Sequence, residues 1–227
     1  MKLFIDTYIS SPLLGVLIFI YNNLAFHDLG LSIIMLTVAI RIVLLPFFYK
    51  GAKDQTIMQK LQPFIKQIQE KHKNDKGKQA EALMELYKKH KINPFSSMLL
   101  LIIQLPIFIA LFDLFTNQIK KINLVSPTFL GLFDLTTKNW TVVVLAAILQ
   151  YFQTKSMLGK QNISGAAGQM QKVMAFVGPL ITILILGNLP SAIGLYWLVF
   201  TAFSFVQQVY INKSITSINI DSEATKS

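Results

Sequence analysis

Residues 30–49 read GLSIIMLTVAIRIVLLPFFY, twenty residues with one charge, Arg41, at the twelfth position. About 20 consecutive apolar residues are enough for a helix to cross the hydrocarbon core of a bilayer, so this stretch predicts a membrane span. A guanidinium inside such a span costs about 2.5–3.5 kcal/mol on insertion scales unless it faces protein or a water-filled cavity. Thr37 is the only polar residue at helical spacing from it. An arginine kept at that cost is either a functional cation or a side chain snorkelling to the nearer interface.

Further apolar stretches run at about 8–26, 95–116, 140–158, 173–189 and 192–211. The stretch 173–189 is short for a crossing, and 140–158 carries Gln150, Gln153 and Lys155, so it spans only if these face protein or water. The first stretch either crosses or lies along the interface. Composition agrees: the 227 residues are 53% hydrophobic and 14% charged, with mean hydropathy +0.51, against about 25% charged in soluble domains. The expected fold is all-α, a polytopic membrane helix bundle of five core spans. An interfacial or additional spanning helix occupies 1–29, the core fills 30–211, and a short tail covers 212–227. No cleavable secretory pattern precedes the first stretch, and no internal repeat is evident.

Lysines set the expected orientation. The segment 50–93 holds eleven lysines and five acids, a net charge of +6, and Lys155, Lys160, Lys172, Lys213 and Lys226 belong to the same side. Only Lys120, Lys121 and Lys138 fall in the loop 117–139. Cytoplasmic loops are the lysine-rich ones, which puts 50–93 and the C-terminus in the cytoplasm. Within 50–93, Ile57, Leu61, Phe64, Ile65 and Ile68 recur at helical spacing, and Ala80, Leu83, Met84 and Tyr87 repeat the pattern after Asn74-Asp75-Lys76-Gly77. This predicts an antiparallel helical hairpin standing off the membrane, kinked at Pro63. With little else to bury its stripe, it reads as a mobile element. Its Lys71, Lys73, Lys76 and Lys78 are candidate contacts for a client or partner.

The inventory for catalysis is thin. There is no Cys, the three His lie outside the secure spans, and no phosphate loop, nucleophile elbow or zinc-helix motif occurs. No catalytic residue, metal or cofactor is expected, and no DNA partner. Asp113, near the outer end of 95–116, has no acid, base or nucleophile at helical spacing and reads as a capping or snorkelled carboxylate. Arg41 lies 8 residues from the cytoplasmic end of its stretch, Gln104 lies 9 and Gln150 lies 8. At about 1.5 Å per residue all three sit roughly 12–14 Å deep, a level consistent with a shared hydrated cavity. Interhelical glutamine pairs as structural glue are the alternative. The short 173–189 crossing, with Pro179 inside and Pro190 after it, fits a locally thinned bilayer. Trp197 is either an interface anchor or the outer end of the groove.

Taken in order, these features resemble the YidC/Oxa family of membrane protein insertases over about 10–211. The family's groove arginine matches Arg41, with Thr37 one turn before and Pro46 after. Its cytoplasmic hairpin matches Leu61-Gln62-Pro63 through Tyr87-Lys88. Its span-opening Asn-Pro matches Asn93-Pro94, and its Gln-x-Pro-Ile-Phe signature stands as Gln104-Leu105-Pro106-Ile107-Phe108. Leu195-Tyr196-Trp197 and Gln207-Gln208 resemble the last span. The family's large extracytoplasmic domain, lipoprotein Cys and long basic C-terminal extension are not found in these 227 residues, so a minimal core is the expectation.

The resemblance implies an insertase and chaperone in the bacterial plasma membrane that works without ATP or cofactor. Short polar segments of nascent membrane proteins would cross a groove lined by Arg41, Thr37, Gln104, Gln150 and Trp197, and apolar segments would leave into lipid. The Sec translocon and, weakly, the ribosome are the partners it suggests. The rival reading is a small-anion transporter with Arg41 as its substrate site. No matched pair of broken helices in repeated halves supports that rival.

Overall fold

A computed structural model describes residues 6–119, 127–158 and 166–216. Lys120, Lys121, Lys160, Lys226 and the tail from 217 lie outside the described residues, as does the side chain of Lys172.

A π-helical turn, Asp6–Ser10, leads into α1 (Ser11–Asn23). Thirteen residues at about 1.5 Å each reach roughly 20 Å, short of a hydrocarbon core of about 30 Å. Leu17, Ile20 and Tyr21 of α1 join Leu29, Ile33 and Leu36 in the main core. Asp28 caps α2 (Leu29–Val43) by accepting from the Leu31 amide at 2.8 Å, satisfying one of the free donors at a helix start.

The stretch 30–49, expected as one membrane span, is broken into two helices. Helix α2 ends at Val43, and α3 (Leu45–Lys60) leaves it at 70°. Pro46 supplies the cause, since its ring cannot sit beside the carbonyl four residues earlier and it lacks an N–H to continue the ladder. It stands instead in the first turn of α3, where neither defect matters.

A second correction concerns Pro63. It does not kink a helix; the chain breaks at Leu61, and Pro63 opens α4 (Gln62–Lys71). Asp75 then caps α5 (Lys76–Lys89), accepting from the Lys78 amide at 3.0 Å. The stripe of this hairpin is also less orphaned than expected. Ile57, Leu61 and Ile65 are buried with Ile92, Ile211 and Ile215, so the hairpin's base packs on the end of the last helix.

Asn93 opens α6 (Ser96–Asp113): its side chain accepts from the Phe95 amide at 2.9 Å and its carbonyl from the Ser96 amide at 3.1 Å. The helix runs on into a π-helical turn, Leu114–Gln118. Asp113 accepts there from Asn117 and Gln118 at 2.8 and 2.7 Å, a local structural use of the carboxylate. A two-stranded antiparallel pair follows, β1 (Thr128–Phe129) with β2 (Phe133–Asp134), in register Thr128↔Asp134 and Phe129↔Phe133. Helices α7 (Trp140–Leu158), α8 (Ala166–Leu186) and α9 (Ser191–Thr216) complete the bundle.

Among the described residues, three helical stretches are long and apolar enough to cross a membrane: Met98–Gln118, Trp140–Leu158 and Ser191–Ile215. The bent α2–α3 pair is a fourth if it counts as one span, and Ala175–Leu186 is a shorter apolar helix. The result is an all-α membrane bundle. Two glycines mark its tightest approaches. A Cβ on Gly30 would lie 2.7 Å from Phe129 Cβ, and one on Gly51 would lie 2.6 Å from Leu100 Cγ. The strand pair therefore seats on the start of α2, and α3 lies directly against α6.

Candidate functional site

Helix α9 is the hub. Arg41, in the last turn of α2, is 3% exposed, so the buried reading prevails over snorkelling. Its Nη2 donates to the Phe200 carbonyl at 3.1 Å and to Ser204 Oγ. Ser204 Oγ in turn donates to the same carbonyl at 2.9 Å. The two partners stand four residues apart, one turn of α9, which is why one guanidinium reaches both.

Three rings surround the cation. The guanidinium carbon lies 4.0 Å from the Phe200 centroid, 4.5 Å from Phe48 and 5.2 Å from Phe203, within the range of cation–π attraction. Phe48 owes its place to the bend. On a straight helix residues 41 and 48 would stand about 10 Å apart along the axis; the 70° break returns the ring over Arg41. Among the described residues no carboxylate lies within ion-pair range of this cation, and Nε has no hydrogen-bond partner. The site is thus a desolvated cation held by π faces, one carbonyl and one hydroxyl, with a donor left over.

Gln104 and Gln150 also reach α9. Gln104 Nε2 donates to the Tyr196 hydroxyl at 2.7 Å, and the Tyr196 ring lies against Phe200 with centroids 5.9 Å apart. Gln150 Oε1 accepts from Thr201 Oγ1 at 3.5 Å, while its amide nitrogen faces Gln153 and Thr154 at 3.2 and 3.4 Å. At 100° per residue, positions 196, 200, 204 and 201 fan across about 140° of α9. Gln104 stands at one side of that sector, Arg41 in the middle and Gln150 at the other, with no direct bond among the three. Thr37 is buried and donates to the Ile33 carbonyl at 2.6 Å, so its hydroxyl is engaged within its own helix. Trp197 packs edge-on against Phe108 at 6.0 Å, and its indole N–H lacks an acceptor.

Toward the hairpin, a second polar layer fastens α3 to its neighbours. Gln208 Nε2 donates to Thr56 Oγ1 at 2.9 Å and to Asn212 Oδ1 at 3.0 Å, and Asn212 Nδ2 donates to the Ser156 carbonyl at 2.7 Å. Lys60 Nζ reaches the Ile215 carbonyl at 3.4 Å near the end of α9. On the other flank, Ser96 Oγ donates to the buried Asp54 carboxylate. The four candidate lysines Lys71, Lys73, Lys76 and Lys78 are all exposed around the hairpin turn, and Lys78 pairs with Asp75 at 3.5 Å.

Sequence reasoning did not single out Phe48, Phe200, Phe203, Asp54 or Thr56. Phenylalanine is too frequent here, at 17 of 227, for three of them to stand out. Asp54 reads from sequence as one more charge in a basic segment.

The profile of the 60Kd inner membrane protein family matches residues 19–218. A protein described as membrane protein insertase YidC from Geobacter metallireducens is 33% identical over 213 residues, 92% of this chain and 38% of that protein. One of the same description from Geotalea uraniireducens is 33% identical over the same shares. Another from Syntrophus aciditrophicus is 36% identical over 208 residues, 91% of this chain and 36% of that protein. The chain thus spans well under half the length of these relatives. Nearly all of the bundle built around Arg41 lies within the matched range, and the resemblance read from the ordered motifs is borne out. The chain belongs to the 60Kd inner membrane protein family.

Proposed function

We propose that this chain is a membrane protein insertase and chaperone, a multi-pass protein of the bacterial plasma membrane with its hairpin and C-terminus in the cytoplasm. The observation that carries the proposal is the buried cation without an anion: Arg41 is paired with rings, a carbonyl and the Ser204 hydroxyl, and its Nε is unused. A permanent counter-ion would neutralise that charge, whereas a cation whose buried Nε lacks a partner can receive an acidic or polar side chain in transit once it is uncovered. The description of the relatives as insertases points the same way.

In this reading Arg41, Thr37, Gln104, Gln150 and Trp197 line the path of a short polar segment through the inner leaflet. Phe48 belongs to α3, the helix that leads to the hairpin, so a shift of α3 would uncover the guanidinium. The client's apolar segment leaves sideways, and its burial at about 25 cal/mol per Å² of apolar surface supplies the driving force without ATP. The membrane potential adds about 2.3 kcal/mol per charge per 100 mV. Helix α1 lies along the outer interface. The exposed hairpin lysines receive clients, and the ribosome and the Sec translocon are its further partners.

Site-specific crosslinking tests this. A photoreactive residue at position 150 should capture a ribosome-bound nascent membrane protein in cells. Capture of lipid alone, with no nascent chain at that position, would contradict the path.

A further inference from the structure

The end of the bundle opposite the hairpin has a feature that the insertion path does not use. Four described non-glycine residues have left-handed backbone, and three of them meet here: Phe26 (φ 52°), His27 (φ 59°) and Leu130 (φ 48°). Bulky residues rarely adopt this conformation, and it persists where surrounding structure imposes it. Asp28 does so. One carboxylate oxygen caps α2 and the other accepts the Leu130 amide, across 102 residues of chain. Phe129 then seats against Gly30. The turn Leu130-Gly131-Leu132 is thereby pinned to the connection that carries Phe26.

What the pinned backbone displays is apolar. Phe26 is 90% exposed and Leu132 74%, with Leu130 exposed between them. Large apolar side chains held out by strained backbone mark a surface that meets something other than water. The neighbouring acids are engaged internally: Asp28 as described, and Asp134 with the Thr136 amide and hydroxyl, both at 2.7 Å. The His27 ring packs edge-on against Tyr21.

The level of the tip identifies its occupant. Asp28 marks the start of α2, exposed Trp140 is the first residue of α7, and the tip's own loop binds the start of α9. There the Ser191 amide donates to the Thr137 carbonyl at 2.7 Å and the Ala192 amide to the Leu135 carbonyl at 3.0 Å. Three helices thus begin on one plane, and aromatic residues at the ends of spans belong to the bilayer interface. The exposed apolar flank of α7, Val144, Leu145 and Ile148, continues from that plane toward the hydrocarbon.

We propose that Phe26, Leu130 and Leu132 form an anchor that inserts into the headgroup–acyl boundary of the leaflet opposite the hairpin. Because the same loop holds the starts of α2 and α9, lipid contact at the tip fixes the two helices that share the Arg41 site. The proposal rests on membrane embedding alone, so its failure and the failure of the insertase reading are separate results.

The chain has no cysteine, so Leu132→Cys and Phe26→Cys each give one site for an environment-sensitive fluorophore. The full chain is placed in phosphatidylcholine vesicles with iodide on both sides. Ile102→Cys, on the exposed face of α6, is the lipid reference, and Asn74→Cys, in the hairpin turn, the aqueous one. At both tip positions a nitroxide near the lipid headgroup should quench emission more than one deep in the acyl chain, and iodide should leave it unchanged, as at Ile102. Quenching by iodide as at Asn74 would overturn the anchor. Emission insensitive to both quenchers would also overturn it, and would mean that protein, such as a second copy, covers the tip. Leu132 lies outside the strained positions, so its label decides the matter even if Phe26→Cys fails to fold.

Discussion

At the scale of single residues, two positions matter most: Arg41, and Gly51, which lets α3 approach α6. Arg41→Leu removes the charge from a site built of three rings, a carbonyl and a hydroxyl, and should abolish most insertion of clients with acidic tails. Arg41→Lys keeps the charge but loses the planar fork, and should retain more activity than the leucine variant. Equal loss in both, measured as protease-protected client, would mean that shape rather than charge matters. Gly51→Ala should lower stability by about 1–3 kcal/mol, the usual cost of overpacking, because its Cβ would meet Leu100. Gly51→Ala combined with Leu100→Ala should recover part of that loss, read as Tm in detergent; no recovery would place the strain elsewhere. The two residues differ in legibility. A lone charge in a run such as Ala39-Ile40-Arg41-Ile42-Val43 announces itself, because burying it is costly. The Phe48, Phe200 and Phe203 rings do not, since phenylalanine is as welcome against lipid as against a guanidinium.

At the scale of elements, the hairpin divides into a fastened base and an exposed tip. Its base reaches α6 through Asp54 and Ser96 and α9 through Thr56, Lys60 and the Ile57–Leu61–Ile65 cluster. A Gly/Ser linker in place of 62–89 should therefore leave a folded, membrane-inserted protein with impaired insertion. The same linker in place of 55–88 should lower Tm as well, since it removes Thr56, Ile57 and Lys60. Equal Tm for the two replacements would show that the base carries no load. Neutralising Lys71, Lys73, Lys76 and Lys78 should weaken ribosome co-sedimentation, and so should salt, as the Debye length falls from about 10 Å at 0.1 M to about 3 Å at 1 M. Unchanged binding at low salt would remove the hairpin as the contact. Hairpin periodicity was readable because a helical stripe survives in any environment. The break at Pro46 and the helix start at Pro63 were harder, since a proline's sequence does not say whether it bends one helix or begins another. The burial of the stripe on Ile211 and Ile215 joins positions some 150 residues apart, and no local pattern carries that information.

At the scale of the whole molecule, membrane class, helical content and the order of the apolar helices followed from hydropathy, because lipid constrains every exposed backbone group and leaves few solutions. The convergence on α9 did not. Depth counting set Arg41, Gln104 and Gln150 at one level, yet only the packed helices show that each meets α9 separately, through Phe200 and Ser204, Tyr196, and Thr201. In the function proposed above, this bundle by itself moves a short polar segment across a bilayer by way of Arg41. The most direct measurement is insertion by the purified chain in sealed vesicles, using a single-span client with a short acidic tail and following protection of that tail from external protease. Protection is expected without ATP or any other protein, lost with Arg41→Leu for the acidic tail and largely kept for an uncharged one. Protection no greater than in empty vesicles, or equal for the intact chain and Arg41→Leu on the acidic client, would contradict it.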